Sequence, residues 1–206
     1  MLRGWGADEV MVYQSRVDLE GDLAAGRLSC SRCSGLLGGW GHARGRLVRF
    51  SGGSRPRWWR PRRARCRNCG VTQVLIPAWM LPRRRDAAEV IGQAVRAFAA
   101  GQGHRRIAQQ LGRPPSTVRG WLRAFCGHLE QLRVLGTVSY ADLDANARPL
   151  EPAGSPAADA LEALGAAARS VVVRFGPDND GPWAVINTLT GGGLLRPSSD
   201  LLPPLR

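Results

Sequence analysis

Ile107-Ala-Gln-Gln-Leu-Gly-Arg-Pro-Pro-Ser-Thr-Val-Arg-Gly-Trp-Leu122 reads as two short helices and the turn between them. The first, His104 to Leu111, carries Ile107, Ala108 and Leu111 along one side. Gly112 stops it, because a residue without a Cβ takes a sharp left-handed turn at little cost. Pro114-Pro115 opens the second, where a missing N–H loses no bond and the ring fixes a helical φ. Along that helix Val118, Trp121, Leu122 and Phe125 recur at i, i+3, i+4 and i+7, so one face is core. Ser116, Thr117, Arg119, Gly120 and Arg123 look outward. A helix upstream completes the group. Asp86 and Glu89 have capping-box spacing, Val90, Ile91, Ala94, Val95 and Phe98 form its apolar face, and Gly101 ends it.

Farther upstream, Cys30-Ser-Arg-Cys33 and Cys66-Arg-Asn-Cys69 are matched C-x2-C pairs with 32 residues between them. Four thiolates in two such pairs are what Zn2+ takes in a closed structural site. Gly70 follows the second pair, where a tight knuckle needs a positive φ. Leu47–Phe50, Arg57–Arg60 and Val71–Ile76 are short β-rich runs, the first two joined by Ser51-Gly-Gly-Ser54. Three strands around the metal would make a zinc ribbon over 28–82, too small in core to stand without the ion. The alternatives are incidental pairs of buried thiols, or disulfides in an exported chain.

The 206-residue chain has a net charge of +13, and its basic side chains are all arginine. Nineteen of them fall within residues 44–123, against only Asp86 and Glu89, while both flanks are slightly acidic. Charge so localised is the footprint of a polyanion partner. In the ribbon Arg57, Arg60, Arg62 and Arg63, and ahead of the helices Arg83, Arg84 and Arg85, are the expected phosphate contacts. Trp58 and Trp59 can stack on the bases of a single strand, although one ring in the core and one on the surface is the plainer expectation. Cys126 is expected to be a small buried hydrophobe. With no nucleophile–base pairing, Walker loop or dinucleotide fingerprint in the sequence, no enzyme is expected.

Residues 1–27 read as a lead-in, with a strand at Glu9–Tyr13 and a short helix capped within Ser15-Arg-Val-Asp18. Met11 offers a second place for translation to begin. No export signal and no run near the roughly 18 apolar residues of a membrane span is visible, so a cytoplasmic protein without membrane contact is expected. Beyond a helical unit at 86–136, a linker is expected at 137–156, then a helical C-terminal region at 157–206. There Ser155-Pro156 starts one helix, Gly176-Pro177 stops it, and Pro182 starts another. These helices have no basic face, so they are expected to bind a second copy or another protein, and to be removable with DNA binding intact. The fold class expected is α+β, mainly α.

Residues 107–122 resemble the helix-turn-helix of bacterial regulators and transposases, which read I-A-x-x-L-G, a short turn, then S/T-T-V-x-x-W-L. Pro114 departs from that pattern, standing where a Ser or Thr cap is usual. Residues 28–126 resemble the zinc-ribbon and helix-turn-helix N-terminal region of insertion-sequence transposases, and short bacterial proteins of the same layout. The carrying segments are the cysteine pairs, Gly41-His42-Ala43-Arg44 and Arg62-Arg-Ala-Arg-Cys66. The resemblance implies sequence-specific binding of double-stranded DNA, with Arg105, Arg106, Arg113, Ser116, Thr117, Arg119, Gly120 and Arg123 at the groove. It implies a transcription regulator or transposon-derived factor. An accessory transposase subunit and a single-stranded RNA-binding module are the alternatives, and a plain three-helix bundle with a solvated basic face is the bland one. Only about 80 residues follow, mainly helical, so a complete catalytic domain of transposase type is not expected.

Overall fold

In a computed structural model of the chain, residues 9–14, 18–177 and 180–196 are described. Among them the order is β1 (Glu9–Tyr13), α1 (Leu19–Ala24), β2 (Leu37–His42), β3 (Arg46–Val48), β4 (Arg57–Trp59), β5 (Arg62–Cys66), β6 (Thr72–Pro77), α2 (Ala88–Ala99), α3 (His104–Leu111), α4 (Pro115–Cys126), α5 (Leu129–Leu143), α6 (Pro156–Phe175) and α7 (Pro182–Leu189). The class is α+β with a helical majority.

A four-stranded sheet has the order β1-β6-β5-β2, and β3 and β4 pair as a separate two-stranded ribbon. This differs from the expected single three-stranded ribbon. The runs at 47–50 and 57–60 pair with each other, Leu47 opposite Trp58, and stand apart from the strands beside the cysteine pairs. Those strands are β2, which follows Cys30 and Cys33, and β5, which ends on Cys66. Leu37-Gly-Gly-Trp-Gly-His42 is too glycine-rich and Arg62-Arg-Ala-Arg-Cys66 too charged to show a hydrophobic alternation, yet Ala64 and Cys66 in β5 are buried. The lead-in belongs to the same sheet, β1 lying parallel to β6 with Val10 opposite Val74 and Val12 opposite Ile76. Asp18 is the residue that caps α1, its carboxylate accepting from the Gly21 amide at 3.0 Å; the Ser15 half of the expected cap lies outside the described residues.

Side chains alternate across a strand, and here the alternation separates two cores. Met11, Tyr13, Leu37, Ala64 and Leu75 pack with Cys30 and Cys66 in a small cluster. Val10, Val12, Val74 and Ile76 turn the other way, into the large core made with α2, α3, α4, α6 and α7. The chain between β6 and α2 is no linker, since Ala78, Trp79, Met80 and Leu81 are buried. Its carbonyls at Ala78 and Met80 each accept a 2.7 Å hydrogen bond from Asn187 Nδ2 of α7.

The C-terminal helices are a wall of the large core. Helix α6 starts at the Ser155 cap and ends at Gly176 as the residues require, and it buries an alanine stripe through Ala157, Ala160, Ala163, Ala167 and Leu164. At Gly136 of α5 the backbone of Ala163 and Leu164 comes so close that a Cβ would lie 2.6 Å away. Helix α5 runs to Leu143, well into the expected linker, and is separated from α4 by Gly127 and His128. Trp183 of α7 lies against Gly92 of α2. Removing 150–206 would therefore open this core, contrary to the expectation of a separable appendage. Exposed apolar side chains remain at the end of α6, at Val172, Val173 and Phe175. The tail beyond Pro197 lies outside the described residues. Cys126 is exposed, not buried, because it falls on the outward side of α4 beside the inward-facing Phe125.

Gly92 and Gly120 are both mid-helix glycines in opposite surroundings, and they make a paired test. A methyl at Gly92 overlaps the Trp183 indole, whereas nothing lies within 4 Å of one at Gly120. Gly92→Ala is expected to lose about 1–3 kcal/mol from overpacking. Gly120→Ala is expected to gain up to about 1 kcal/mol from helix propensity. Urea unfolding of the two variants against the parent reads the difference.

Candidate nucleic-acid interface

Helix α3 ends on Gly112 in the left-handed conformation (φ 60°, ψ 41°), and the Arg113 amide reaches back to the Ala108 carbonyl at 2.9 Å. This closes the helix in the manner of a Schellman turn. Helix α4 then starts on Pro115, with no side-chain cap at Pro114. Ile107, Ala108, Val118, Trp121, Leu122 and Phe125 are all buried and fix the crossing of the two helices. On the opposite side Ser116, Arg119, Gly120 and Arg123 are exposed and Thr117 is half-exposed, with Arg105 and Arg106 exposed at the start of α3. Gly120 leaves an open floor between Arg119 and Arg123. The structure thus brings seven of the eight expected groove residues onto the outward surface.

Arg113 is the exception. Its side chain is only 12% exposed, and its Nε donates to the Asp86 carboxylate at 2.6 Å. Its Nη2 donates to the Phe50 carbonyl at 3.0 Å, just past β3, and its Nη1 to Leu111 O at 3.1 Å. Arg49 of the same ribbon binds Asp86 with both Nε (3.1 Å) and Nη2 (2.7 Å). Arg113 is therefore a bracket inside the fold and not a groove contact. Asp86 in turn is not the cap of α2. Its carboxylate, 3% exposed, is taken up by two guanidiniums, and α2 is preceded by Ala87, which offers no side-chain cap. The capping-box spacing was true of the sequence, but a buried charge binds its opposite charges before it binds an amide.

The ribbon arginines divide in the same way. Arg60 is exposed, and Arg57, also exposed, lies over the Phe50 and Trp79 rings at 5.5 and 5.6 Å. Arg62 is engaged within the fold, donating to Glu20 at 2.8 Å and to the Gly41 carbonyl at 2.7 Å, and Arg63 is half-buried beside it. Arg83 and Arg85 are exposed and Arg84 half-exposed. Trp59 packs edge-on against Trp79 at 5.3 Å, and Trp58 is 65% exposed, so one ring is inside and one outside. Sequence reading missed Arg46, which bonds the Leu81 carbonyl at 3.0 Å and whose guanidinium pKa burial pushes down. The two-residue spacing of Arg46 from Val48, which puts both on one face of a strand, was the available signal for an inward-facing role.

The four cysteines converge. Their sulfurs all lie within 4.8 Å of one another, with Cys33–Cys66 at 3.5 Å and Cys30–Cys69 at 3.7 Å, and they can hold one metal ion. The two knuckles repeat each other. The Ser34 amide returns to Cys30 O at 2.9 Å and the Gly70 amide to Cys66 O at 3.1 Å, with φ of 55° and 71°. The Arg32 and Asn68 amides each point at the first sulfur of their pair at 3.4 Å. Cys33 is lowered to about 6, first by the Gly35 amide and then by hydrogen bonds with Cys69 and Cys66. At Cys69 the Val71 amide lowers the thiol, but its bonds with Cys33, Cys66 and Cys30 and its desolvation outweigh that and push it up to about 12.

Residues 86–133 match the homeodomain-like domain. The match covers α2, α3 and α4 and the first turn of α5, the segment whose geometry is that of a helix-turn-helix, and such a domain points to DNA as the partner. No curated protein and no solved structure matches the chain. No helix among the described residues is long and apolar enough to cross a membrane.

Breaking the Asp86 junction tests the bracket directly. Asp86→Ala leaves Arg113 almost buried without its counter-charge, and the loss expected is about 3–5 kcal/mol. Arg119→Ala, on the open surface, should stay within about 0.5 kcal/mol of the parent. Equal thermal midpoints for parent and Asp86→Ala would show that the junction carries no stability.

Proposed function

We propose that the protein binds double-stranded DNA with sequence preference, reading bases through the outward face of α4. The observation that carries this is the surface around Gly120. Arg119 and Arg123 lie one turn apart on a rigidly packed helix, with an unobstructed glycine backbone between them. Arginine pairs bidentately with guanine in the major groove, and a helix side without a Cβ admits the groove floor closely. Arg60, Arg83, Arg85, Arg105 and Arg106 are exposed as well, and to these we assign the phosphate contacts that set affinity and salt dependence. A transcription regulator, or a DNA-binding factor derived from a transposon, is the role that fits. A DNA-binding accessory subunit of a transposase is the second reading, favoured by the order of cysteine module and helix-turn-helix along the chain. In either role the work is binding and not catalysis, with reduced thiols in a cytoplasmic setting.

The metal we propose is structural Zn2+, held by Cys30, Cys33, Cys66 and Cys69. Sulfurs each about 2.3 Å from a tetrahedral ion are about 3.8 Å apart, close to the 3.5 and 3.7 Å separations found. A closed set of four thiolates leaves no position for a reacting water, so the ion's contribution is to tie the two knuckles together. The purified protein should carry about one equivalent of zinc by elemental analysis. Cys66→Ser should lose it along with cooperative unfolding, while Cys126→Ser should keep it. Full retention of folded structure after complete removal of metal would sink this assignment.

Base reading separates from phosphate binding by mutation. On the site enriched from random duplex DNA, Arg119→Ala should weaken binding by roughly 1–3 kcal/mol and relax choice at one or two positions. Arg83→Ala with Arg85→Ala should weaken all duplexes alike and reduce the salt slope by roughly one unit for each phosphate no longer neutralised. If the two sets behave identically, both small and sequence-blind, α4 is not the reader.

A further inference from the structure

The two-stranded ribbon stands outside the main sheet, and its outer face is not that of a core element. Leu47 and Trp58 are directly cross-strand and 46% and 65% exposed. Trp58 is nonetheless held in place, because its indole lies across Gly45, where a Cβ would sit 2.5 Å from the ring. The opposite face is anchored by Val48, fully buried, and by Trp59 against Trp79. Exposed Arg55 and Arg60 flank the apolar pair, and Gly52 and Gly53 turn the tip at φ 64° and 73°.

The ribbon's position is fixed relative to α4. Phe50, between β3 and the tip turn, accepts from Arg113, two residues before the first residue of α4. The Arg49 amide donates to the Arg85 carbonyl at 2.7 Å, and the Ala87 amide to Arg49 O at 2.9 Å. The tip side of the ribbon is therefore fixed beside the turn that leads into α4. An element beside a helix seated in the major groove meets the phosphate ridge, and past it the minor groove. Apolar side chains between arginines are what minor-groove elements use to wedge base steps and neutralise the walls.

We propose that the β3–β4 ribbon is a second DNA-contacting element, entering the minor groove beside the base pairs read by α4, with Trp58 and Leu47 as the wedge and Arg55 and Arg60 on the flanking phosphates. The proposal rests on α4 being the major-groove reader. Trp58 shapes the duplex and Gly45 keeps its indole flat and outward. The Asp86–Arg113–Arg49 junction fixes the spacing between wedge and reader.

Hydroxyl-radical footprints of the full-length protein on the duplex it enriches from a random pool test this. The parent should protect a flank on one side of the selected bases. Trp58→Ala should erase the flank and lower affinity by roughly tenfold, with the selected sequence and the circular-dichroism melt unchanged. Arg55→Ala with Arg60→Ala should thin the same flank, which keeps the test decisive if Trp58→Ala folds poorly. Arg119→Ala should do the reverse, altering sequence choice and keeping the flank. Unchanged flank and affinity in both ribbon variants would overturn the proposal while leaving α4 as the reader. Loss of single-stranded RNA or DNA binding alone, with duplex binding intact, would assign the ribbon to single strands and overturn it too. A parent that enriches no duplex at all would bring down both readings.

Discussion

One carboxylate sets the geometry around the helix-turn-helix. Asp86 is nearly inaccessible and accepts from Arg49 and Arg113, two residues that belong to different parts of the chain. A buried carboxylate without partners would be driven to its neutral form, and buried arginines have no neutral form to take. The three groups therefore hold one another in place. Because Arg49 directly follows β3, Asp86 precedes α2 and Arg113 sits in the turn before α4, satisfying one charge fixes a ribbon, a helix start and a helix-turn-helix turn together. The remaining Arg113 donors close onto the carbonyls of Leu111 and Phe50, so the turn that aims α4 is braced on both sides.

That arrangement changes how the charge of the chain should be understood. The excess of arginine over residues 44–123 looks like a uniform footprint for a polyanion, yet part of it is internal structure. Arg46 caps the Leu81 carbonyl, Arg49 and Arg113 neutralise Asp86, Arg62 holds Glu20, and Arg65 bonds the Gly70 carbonyl and lies over Trp40 at 4.8 Å. In a chain whose basic side chains are all arginine, the same side chain braces turns inside the fold and supplies the charge on its surface. Arg46, Arg49, Arg62 and Arg113 are at least partly buried, whereas Arg55, Arg60, Arg83, Arg85, Arg105, Arg106, Arg119 and Arg123 remain on the surface.

The helices were legible in the sequence because each carries its own punctuation. Gly101, Gly112, Pro115, Ser155 and Gly176 stop or start helices where the residues say they should, and the i, i+3, i+4 rows of α2 and α4 are the buried ones. The cysteine cluster was legible from spacing alone. The sheet was not, since β2 and β5 owe their strand state to partners far away in sequence and to glycines that leave room for Arg62 and Arg67 to lie across them. The role of Asp86 was hidden for a related reason. Local spacing offered it a helix amide, while tertiary structure offered it two guanidiniums, and the stronger pairing prevailed. The place of α6 and α7 was misjudged because small alanines look like a weak surface; here they let helices approach closely enough to seal a core.

The two cores meet on two strands, and this ties metal to helices. Successive residues of β6 face opposite ways: Gln73 and Leu75 look into the cysteine side, where Gln73 Nε2 reaches Cys30 Sγ at 3.7 Å, and Val74 and Ile76 look into the helical side. β1 alternates in the same way, Met11 and Tyr13 to one core and Val10 and Val12 to the other. A strand that slipped by one residue would reverse every one of these side chains. The register that brings Cys66 and Cys69 to their partners is thus the register that seats Ile76 in the helical core, and from Ile76 the buried run Ala78 to Leu81 leads on toward Asp86. A metal ion held by the four sulfurs would pin that register from the cysteine side. The cysteines are remote from the helices in sequence, but the two faces of β6 join the cysteine cluster to the helical core.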